Sequence, residues 1–336
     1  MNSRDKVTVI GAGSWGTALA LLLSEKGPVT LWGHSPERVA ALRQARENRT
    51  YLPGFLIPAN IEITAELAAA VRDCRSLVMV VPSHLFRAVF SQLQPYLPPT
   101  ALLLSATKGI ENDTLMTMTQ VMADLLGPGS EARLGVLSGP SFAKEVAAGV
   151  PTAVTVAAAN PEVASHFQTL FHSERFRVYS SNDVIGLELG GPLKNVVAIA
   201  AGICDGLGYG TNTRAALITR GLAEITRIGV RMGAQPLTFS GLAGLGDLVL
   251  TCTGELSRNR TVGLKLGQGQ SLEEILAEMK MVAEGVKTTR SAWKLAQKMG
   301  VEMPILEQIH QVLYEGKGCP AAVHDLLARD RKGELE

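Results

Sequence analysis

Cysteine is scarce. Cys74, Cys204, Cys252 and Cys319 are scattered over 336 residues with no CxxC pair, which excludes a disulfide framework and the common zinc-ribbon and thioredoxin-like spacings. The expectation is reduced thiols. An excess of one charge is also missing: 32 Lys+Arg against 31 Asp+Glu leave a net +1, without the basic surplus of a nucleic-acid or membrane-surface binder. No uncharged stretch combines the length and apolarity of a transmembrane helix. The nearest, residues 146–161, is interrupted by Gly149, Pro151 and Pro161. No secretory leader, internal repeat or low-complexity tract is recognisable, so a cytoplasmic protein is expected. What remains, 46% hydrophobic and 19% charged residues, suits roughly two globular domains, each able to bury its own core.

The most informative stretch is Gly11-Ala12-Gly13-Ser14-Trp15-Gly16, between the apolar run Val7–Ile10 and the helix-forming run Thr17–Leu23. Strand, glycine turn and helix in this order form a dinucleotide-binding fingerprint. Gly11 permits the tight turn, Gly13 lets the backbone approach a pyrophosphate, and Gly16 allows close helix–strand packing. Free N–H groups at the helix start then favour an anion. By itself GxGxxG is a weak signal in a chain with 34 glycines. Its place at the first strand, with the right element on each side, makes a bound dinucleotide the better reading.

Val29–Trp32 reads as a second strand, followed by Ser35 as helix N-cap and Pro36 in the first turn. The acid that would hold a ribose 2′-hydroxyl about 20 residues past the glycines is missing. His34 and Ser35 take its place, with Arg38 and Arg43 just beyond, which favours NADP(H) or dual use. A solvated loop histidine is an equally good reading of His34. Further strands are expected at Asn60–Ile63, Leu77–Val81, Ala101–Ser105, Leu134–Leu137, Thr152–Val156 and Phe176–Tyr179, with helices at Ala65–Arg72 and Glu162–Phe171. This alternation predicts a doubly wound, mostly parallel sheet of the Rossmann type. Lys108 follows one strand, flanked by small residues, and is read as a ligand group rather than a surface charge. Gly139-Pro140-Ser141-Phe142-Ala143 lacks the last glycine of a nucleophile elbow. Ligand contacts from Gly139 and Ser141 fit better than a hydrolase.

From Asp183 onward the pattern turns helical, at Ile185–Ala201, Ala215–Val230, Leu272–Met279, Thr288–Met299 and Ile305–Tyr314. The expected division is therefore an α/β nucleotide-binding domain, residues 1–182, and an all-α domain, residues 183–336. Lys194 stands beside Gly190, Gly191 and Pro192 at the start of an apolar helical run, where a buried lysine needs a partner or a task. Asp247 closes a glycine-rich segment. Ser257 can cap a helix, and Arg258 can fork onto a phosphate. Arg260 is expected to make structural contacts.

At these residues the chain resembles the bacterial-type NAD(P)-dependent sn-glycerol-3-phosphate dehydrogenases. The likeness runs through GAGSWGTALA, ATKG, SGPSFAKEVAAG, LGGPLKNVVAIAAGICDGLG, NTRAALITRGLAEI, FSGLAGLGDLVLTCTGELSRNR and AEGVKTTR. It implies interconversion of sn-glycerol 3-phosphate and dihydroxyacetone phosphate, chiefly as reduction feeding phospholipid synthesis. It also implies a Rossmann domain followed by a helical one, and a homodimer. Carried over by motif, Lys194 is the proton acceptor, with Asp247 and Lys108 beside it in the catalytic set. Gly139, Ser141, Asp247, Ser257, Arg258 and Asn259 become substrate contacts. Ser14, Trp15, His34, Tyr51, Lys108, Ala143, Arg258, Val282 and Glu284 line the cofactor together with the three glycines. Pro192 replaces a more usual alanine and is expected to kink the entry to the Lys194 helix. Two rival readings remain: a β-hydroxy-acid or 6-phosphogluconate dehydrogenase, and a non-catalytic NADPH sensor.

Overall fold

The computed structural model describes residues 6–279, 283–331 and 333–334. Its strands are β1 (Val7–Ile10), β2 (Val29–Trp32), β3 (Glu47–Asn48), β4 (Leu52–Leu56), β5 (Ile61–Thr64), β6 (Ser76–Met79), β7 (Leu102–Ser105), β8 (Leu134–Ser138), β9 (Thr152–Ala158) and β10 (Phe176–Ser181). The helices of the same half are α1 (Ser14–Ser24), α2 (Pro36–Ala45), α3 (Leu67–Val71), α4 (Ser83–Leu93), α5 (Met118–Leu126), α6 (Ala143–Ala147) and α7 (Pro161–Phe171). Eight strands form one sheet in the order β10-β9-β8-β7-β6-β1-β2-β5, while β3 and β4 make a separate hairpin. All neighbours in the large sheet are parallel except β8 and β9. This is the expected Rossmann-type sheet, with its switch point between β1 and β6.

Both sheet faces are covered, which is why the strands read as unbroken apolar runs rather than alternating ones. Val78 and Leu104 enter the core on one face, Leu77, Met79 and Leu103 the core on the other. Ser35 caps α2 as expected, accepting the Arg38 amide at 3.3 Å.

From Val184 on, the described residues contain helices and no strand: α8 (Val184–Gly206), α9 (Thr211–Arg231), α10 (Pro236–Phe239), a π-helical turn (Leu242–Gly246), α11 (Asp247–Thr253), α12 (Arg258–Gly267), α13 (Leu272–Glu278), α14 (Glu284–Met299), α15 (Pro304–Tyr314) and α16 (Cys319–Leu327). Lys194 lies in the middle of α8, not at its start. Asp183 caps the helix by accepting the Gly186 amide at 2.9 Å, and Gly190, Gly191 and Pro192 continue it. Those small residues mark close approach rather than a break: a Cβ on Gly190 would stand 2.4 Å from the Ala243 carbonyl oxygen. Pro192, expected at the helix entry, lies inside the helix.

α8 carries Glu188, Lys194 and Asp205, so it leaves intact the expectation that no uncharged stretch could span a membrane. Its 23 residues are long and apolar enough, yet 89% of its most apolar window is buried inside the protein, so it is a core helix. Gly202 and Gly206 of α8 face Gly263 and Gly267 of α12, and a Cβ at any of the four would lie 2.0–2.4 Å from a carbonyl oxygen of the other helix. The glycines let the two backbones touch, and this contact fixes the start of α12 relative to Lys194. All four cysteines are buried free thiols.

Candidate active site

At the switch point the loops after β1 and β6 lie side by side. Gly11 has φ +122°, and a Cβ there would be 2.6 Å from the Val80 carbonyl oxygen; one on Gly16 would be 1.8 Å from the Gly11 oxygen. Gly13 has nothing within 4 Å of a Cβ position, so its backbone is open to a ligand. Ser14 begins α1, and the buried Nε1 of Trp15 has no hydrogen-bond partner. Ala143 begins α6, which packs on α1. Open backbone, a helix N-terminus and an unspent indole donor fit the diphosphate end of a dinucleotide.

Asn48, unforeseen in the sequence, braces this loop. Its Nδ2 donates to the Ala12 carbonyl (3.0 Å) and Thr17 Oγ1 (2.8 Å), and its Oδ1 accepts the Tyr51 amide (3.2 Å). Beyond β2, His34 is exposed. Arg38 lies over the Tyr51 ring and donates to its hydroxyl at 2.5 Å. Arg43 does not join this group. Its Nε donates to the Ile63 carbonyl at 2.6 Å, which commits it to holding α2 on β5.

A second cluster forms where the sheet meets the helices. Thr107 Oγ1 donates to the Val81 carbonyl at 2.8 Å, fixing the loop that carries Lys108. Lys108 Nζ donates to Asp247 Oδ2 at 2.6 Å and to the Gly139 carbonyl at 3.2 Å. Gly139 has φ +143°, and a Cβ there would press on Val154 at 2.9 Å. The Ser141 hydroxyl donates to the same carbonyl at 3.0 Å. Lys194 Nζ donates to Asp247 Oδ1 and to Thr251 Oγ1, the latter at 2.8 Å. Thr251 in turn donates to the Asp247 carbonyl at 2.6 Å. Asp247 is 0% and Lys194 6% exposed.

Burial pulls the Lys194 ammonium down to about 7 against the pull of Asp247, and the Lys108 charge lowers it further. Glu284, at the start of α14, is pushed up by burial while the cations of Arg258, Lys108 and Lys194 act to lower it. The start of α14 meets both α12 and α8, since a Cβ on Gly285 would lie 2.7 Å from Asn259 Oδ1 and 2.9 Å from the Asn195 carbonyl oxygen.

Ser257 caps α12 by accepting the Arg260 amide at 3.3 Å. Arg258, its first helical residue, is exposed, whereas Asn259 is buried and its Oδ1 accepts the Gly285 amide at 2.9 Å. Arg260 is structural as expected, its Nε donating to Asp205 at 2.7 Å. Thus Lys108, Gly139, Ser141, Lys194, Asp247, Arg258 and Glu284 come together, with Ser257 and Asn259 beside Arg258. His34 and Tyr51 belong to the far end, past β2. Val282 lies outside the described residues. Thr251 has a sequence signal only in hindsight, one helical turn after Asp247.

Residues 6–164 match the family description NAD-dependent glycerol-3-phosphate dehydrogenase N-terminus, and residues 183–324 match its C-terminus counterpart. A glycerol-3-phosphate dehydrogenase [NAD(P)+] of Geobacter metallireducens is 59% identical over 98% of this chain and 99% of its own, and that of Citrifermentans bemidjiense is 58% identical over the same shares. The crystal structure of glycerol-3-phosphate dehydrogenase from Coxiella burnetii superposes with a TM-score of 0.93 at 41% identity, covering 97% of this chain and 99% of that one. The D-mandelate dehydrogenase fold is related more distantly, with a TM-score of 0.61 at 13% identity. The chain belongs to the NAD-dependent glycerol-3-phosphate dehydrogenase family and interconverts glycerol 3-phosphate and dihydroxyacetone phosphate with NAD(P).

Proposed function

We propose that Lys194 is the proton donor and acceptor of this reaction. The observation that carries the reading is a buried amine, poised near neutrality, bonded to Asp247 and facing the Lys108 charge. A bound nicotinamide supplies or receives the hydride. Lys194 gives its proton to the substrate's ketone oxygen during reduction and takes it from the hydroxyl during oxidation. Asp247 orients both lysines. Lys108 adds positive charge where the oxyanion develops. Arg258 and the N–H groups at the start of α12 hold the substrate phosphate, helped by Ser257 and Asn259. Gly139 and Ser141 complete the substrate contacts. Gly11, Gly13, Ser14, Trp15, Gly16, His34, Tyr51, Lys108, Ala143, Arg258, Val282 and Glu284 form the cofactor side. Lys194→Ala, assayed with dihydroxyacetone phosphate and NADPH, should abolish most turnover; near-normal turnover would remove Lys194 from this role.

The finer assignments are also ours. Residues 1–182 form the cofactor domain and 183–336 the substrate domain. NADPH is favoured over NADH, because Gly33, His34 and Ser35 rather than an acid directly follow β2, while Arg38 stands exposed beside Tyr51. Side-by-side kcat/KM values with the two cofactors test this, and Arg38→Ala should erase any NADPH advantage. The homodimer and net reduction in the cell rest on family resemblance, and the cytoplasmic setting on the scattered free cysteines.

A further inference from the structure

Glu188 belongs to neither the cofactor side nor the substrate side, yet it is a carboxylate only 6% exposed. It projects from α8 to the start of α5, in the sheet half of the molecule. Its Oε1 accepts the Thr119 amide at 2.8 Å, and its Oε2 accepts the Thr119 hydroxyl. Burying a carboxylate is costly unless it is bonded this way. A helix N-terminus, with its free amides, is a suitable partner.

Of the two helices so joined, α8 carries Lys194, and the loop that leads into α5 carries Lys108. Lys108 and Thr119 are the ends of one loop, closed on itself by the Ile110–Thr117 bridge and by the Glu111 amide on the Met116 carbonyl at 2.9 Å. The loop is wedged at Gly109, where a Cβ would lie 2.1 Å from the Ser83 Cβ. On the other element, Glu188 precedes Lys194 by six residues, roughly 9 Å along the helix. Between them a Cβ on Gly191 would lie 3.1 Å from Lys108 Cγ.

We propose that Glu188 is a positioning residue: by clamping the start of α5 to α8, it fixes the spacing between Lys108 and Lys194. This rests on the catalytic reading of Lys194 above. Lys194 is faced by Lys108 from the loop, by Asp247 and Cys252 from α11 and by Glu284 from α14. Glu188 is not among the charges acting on it. Releasing the clamp lets water and space in between the lysines, which relieves both influences that hold the Lys194 proton loosely, so its titration moves to higher pH. Simple removal of a carboxylate charge would do the opposite, because losing an anion lowers a lysine pKa. The sign of the shift therefore separates positioning from direct electrostatics.

The test is the pH profile of kcat/KM for dihydroxyacetone phosphate with Glu188→Ala, Glu188→Gln and Thr119→Val, together with KM for NADPH. Misplacing catalytic groups is costly, so Glu188→Ala and Thr119→Val should lower kcat about tenfold or more, with KM for NADPH within about twofold. Their inflection near neutrality should rise by at least about half a pH unit, corresponding to a threefold change in the proton-binding constant. Glu188→Gln keeps an acceptor for the Thr119 amide and should hold kcat within about threefold, with the native inflection. If Glu188→Ala does not fold, Thr119→Val probes the same tie with the carboxylate in place. A native inflection in the folded variants, or loss of folded protein in every arm, makes Glu188 a stability residue only, and a downward shift makes it a direct electrostatic partner of Lys194; each of these overturns the proposal. Lys194→Ala run in parallel separates the two failures. If it stays active, the catalytic reading is lost; if it is inactive while Glu188→Ala behaves as the native enzyme, only the clamp is lost.

Discussion

Lys108 and Lys194, one from a loop of the sheet and one from the central helix, donate to opposite oxygens of a single fully buried carboxylate, Asp247. Two ammonium groups on one acid leave a net positive charge in a dry setting. Burial, with the Lys108 charge as a smaller contribution, holds Lys194 near neutrality against the pull of Asp247, while the shared carboxylate keeps both amines directed. With Lys194 as the proposed proton acceptor, oxidation of glycerol 3-phosphate needs the neutral amine, so kcat/KM should rise as pH passes through about 7. For reduction the protonated amine is required, and kcat/KM should fall through the same range. Lys194→Ala should cost roughly 10²–10⁴ in kcat, the usual worth of a positioned acid–base group. Opposite-limbed pH profiles in the two directions check the assignment; flat profiles with chemistry rate-limiting would refute it.

Asp247→Asn is expected to move the same inflection below about 7, because Asp247 is the group that raises the Lys194 pKa. At neutral pH the variant should reduce dihydroxyacetone phosphate poorly, since too little Lys194 is protonated. Part of its activity should return as the assay is acidified. An unchanged inflection would show that the carboxylate is not ionised opposite the amine.

Arg258→Ala should act on binding more than on turnover. Losing a guanidinium that contacts a phosphate costs about 2–3 kcal/mol, so KM for the phosphorylated substrate should rise about 30- to 150-fold. Inorganic phosphate should inhibit the native enzyme competitively and the variant weakly. Equal inhibition of both would place the phosphate elsewhere.

How far the sequence carries the account depends on the kind of order involved. Strands covered on both faces announce themselves, and β1, β2 and β7 fall within one residue of the runs Val7–Ile10, Val29–Trp32 and Ala101–Ser105. The β3–β4 hairpin hides because Pro53 and Gly54 resemble a plain turn and its exposed Leu56 serves no core. α16 hides because only Cys319 and Ala322 of its nine residues are buried. Lys194, Asp247 and Lys108 are recognisable one by one by motif. Their shared carboxylate spans sequence separations of 53 and 139 residues, and no local pattern encodes that meeting. Gly190-Gly191-Pro192 stays inside the expected helix Ile185–Ala201 despite poor local propensity, because tertiary packing uses the lost side chains to bring backbones together.

Gly202→Ala should destabilise the helical half by several kcal/mol, because the added methyl would stand 2.0 Å from the Arg260 carbonyl oxygen and must push α8 and α12 apart. In an open position the same change is mild: Gly27→Ala meets nothing within 4 Å and serves as the control. Thermal melts of both variants make the comparison. Because α12 also carries Arg258, any Gly202→Ala protein that remains folded should show a raised KM for dihydroxyacetone phosphate. Native-like melting and KM would mean that the helices can separate without cost.

Glu224 provides a stability test away from the active site. This carboxylate, 5% exposed, accepts the Ile305 amide at 2.7 Å and the Leu306 amide at 3.3 Å at the start of α15. Burial pushes it up to about 7 in the folded protein, against the lowering effect of those amides and of Arg227 and Arg329. An unfolded glutamate titrates near 4.3, so between roughly pH 4.3 and 7 the folded chain binds the proton that the unfolded chain has released. The stability that protonated Glu224 contributes is complete below that window and is lost as pH rises through it. Glu224→Gln fixes the neutral form and keeps a carbonyl for the Ile305 amide. Its melting temperature relative to the native protein should therefore increase between pH 5 and 8, by an amount corresponding to about 1–3 kcal/mol. A constant difference across that range would mean that Glu224 titrates alike in both states and that its two amide bonds fully offset its burial.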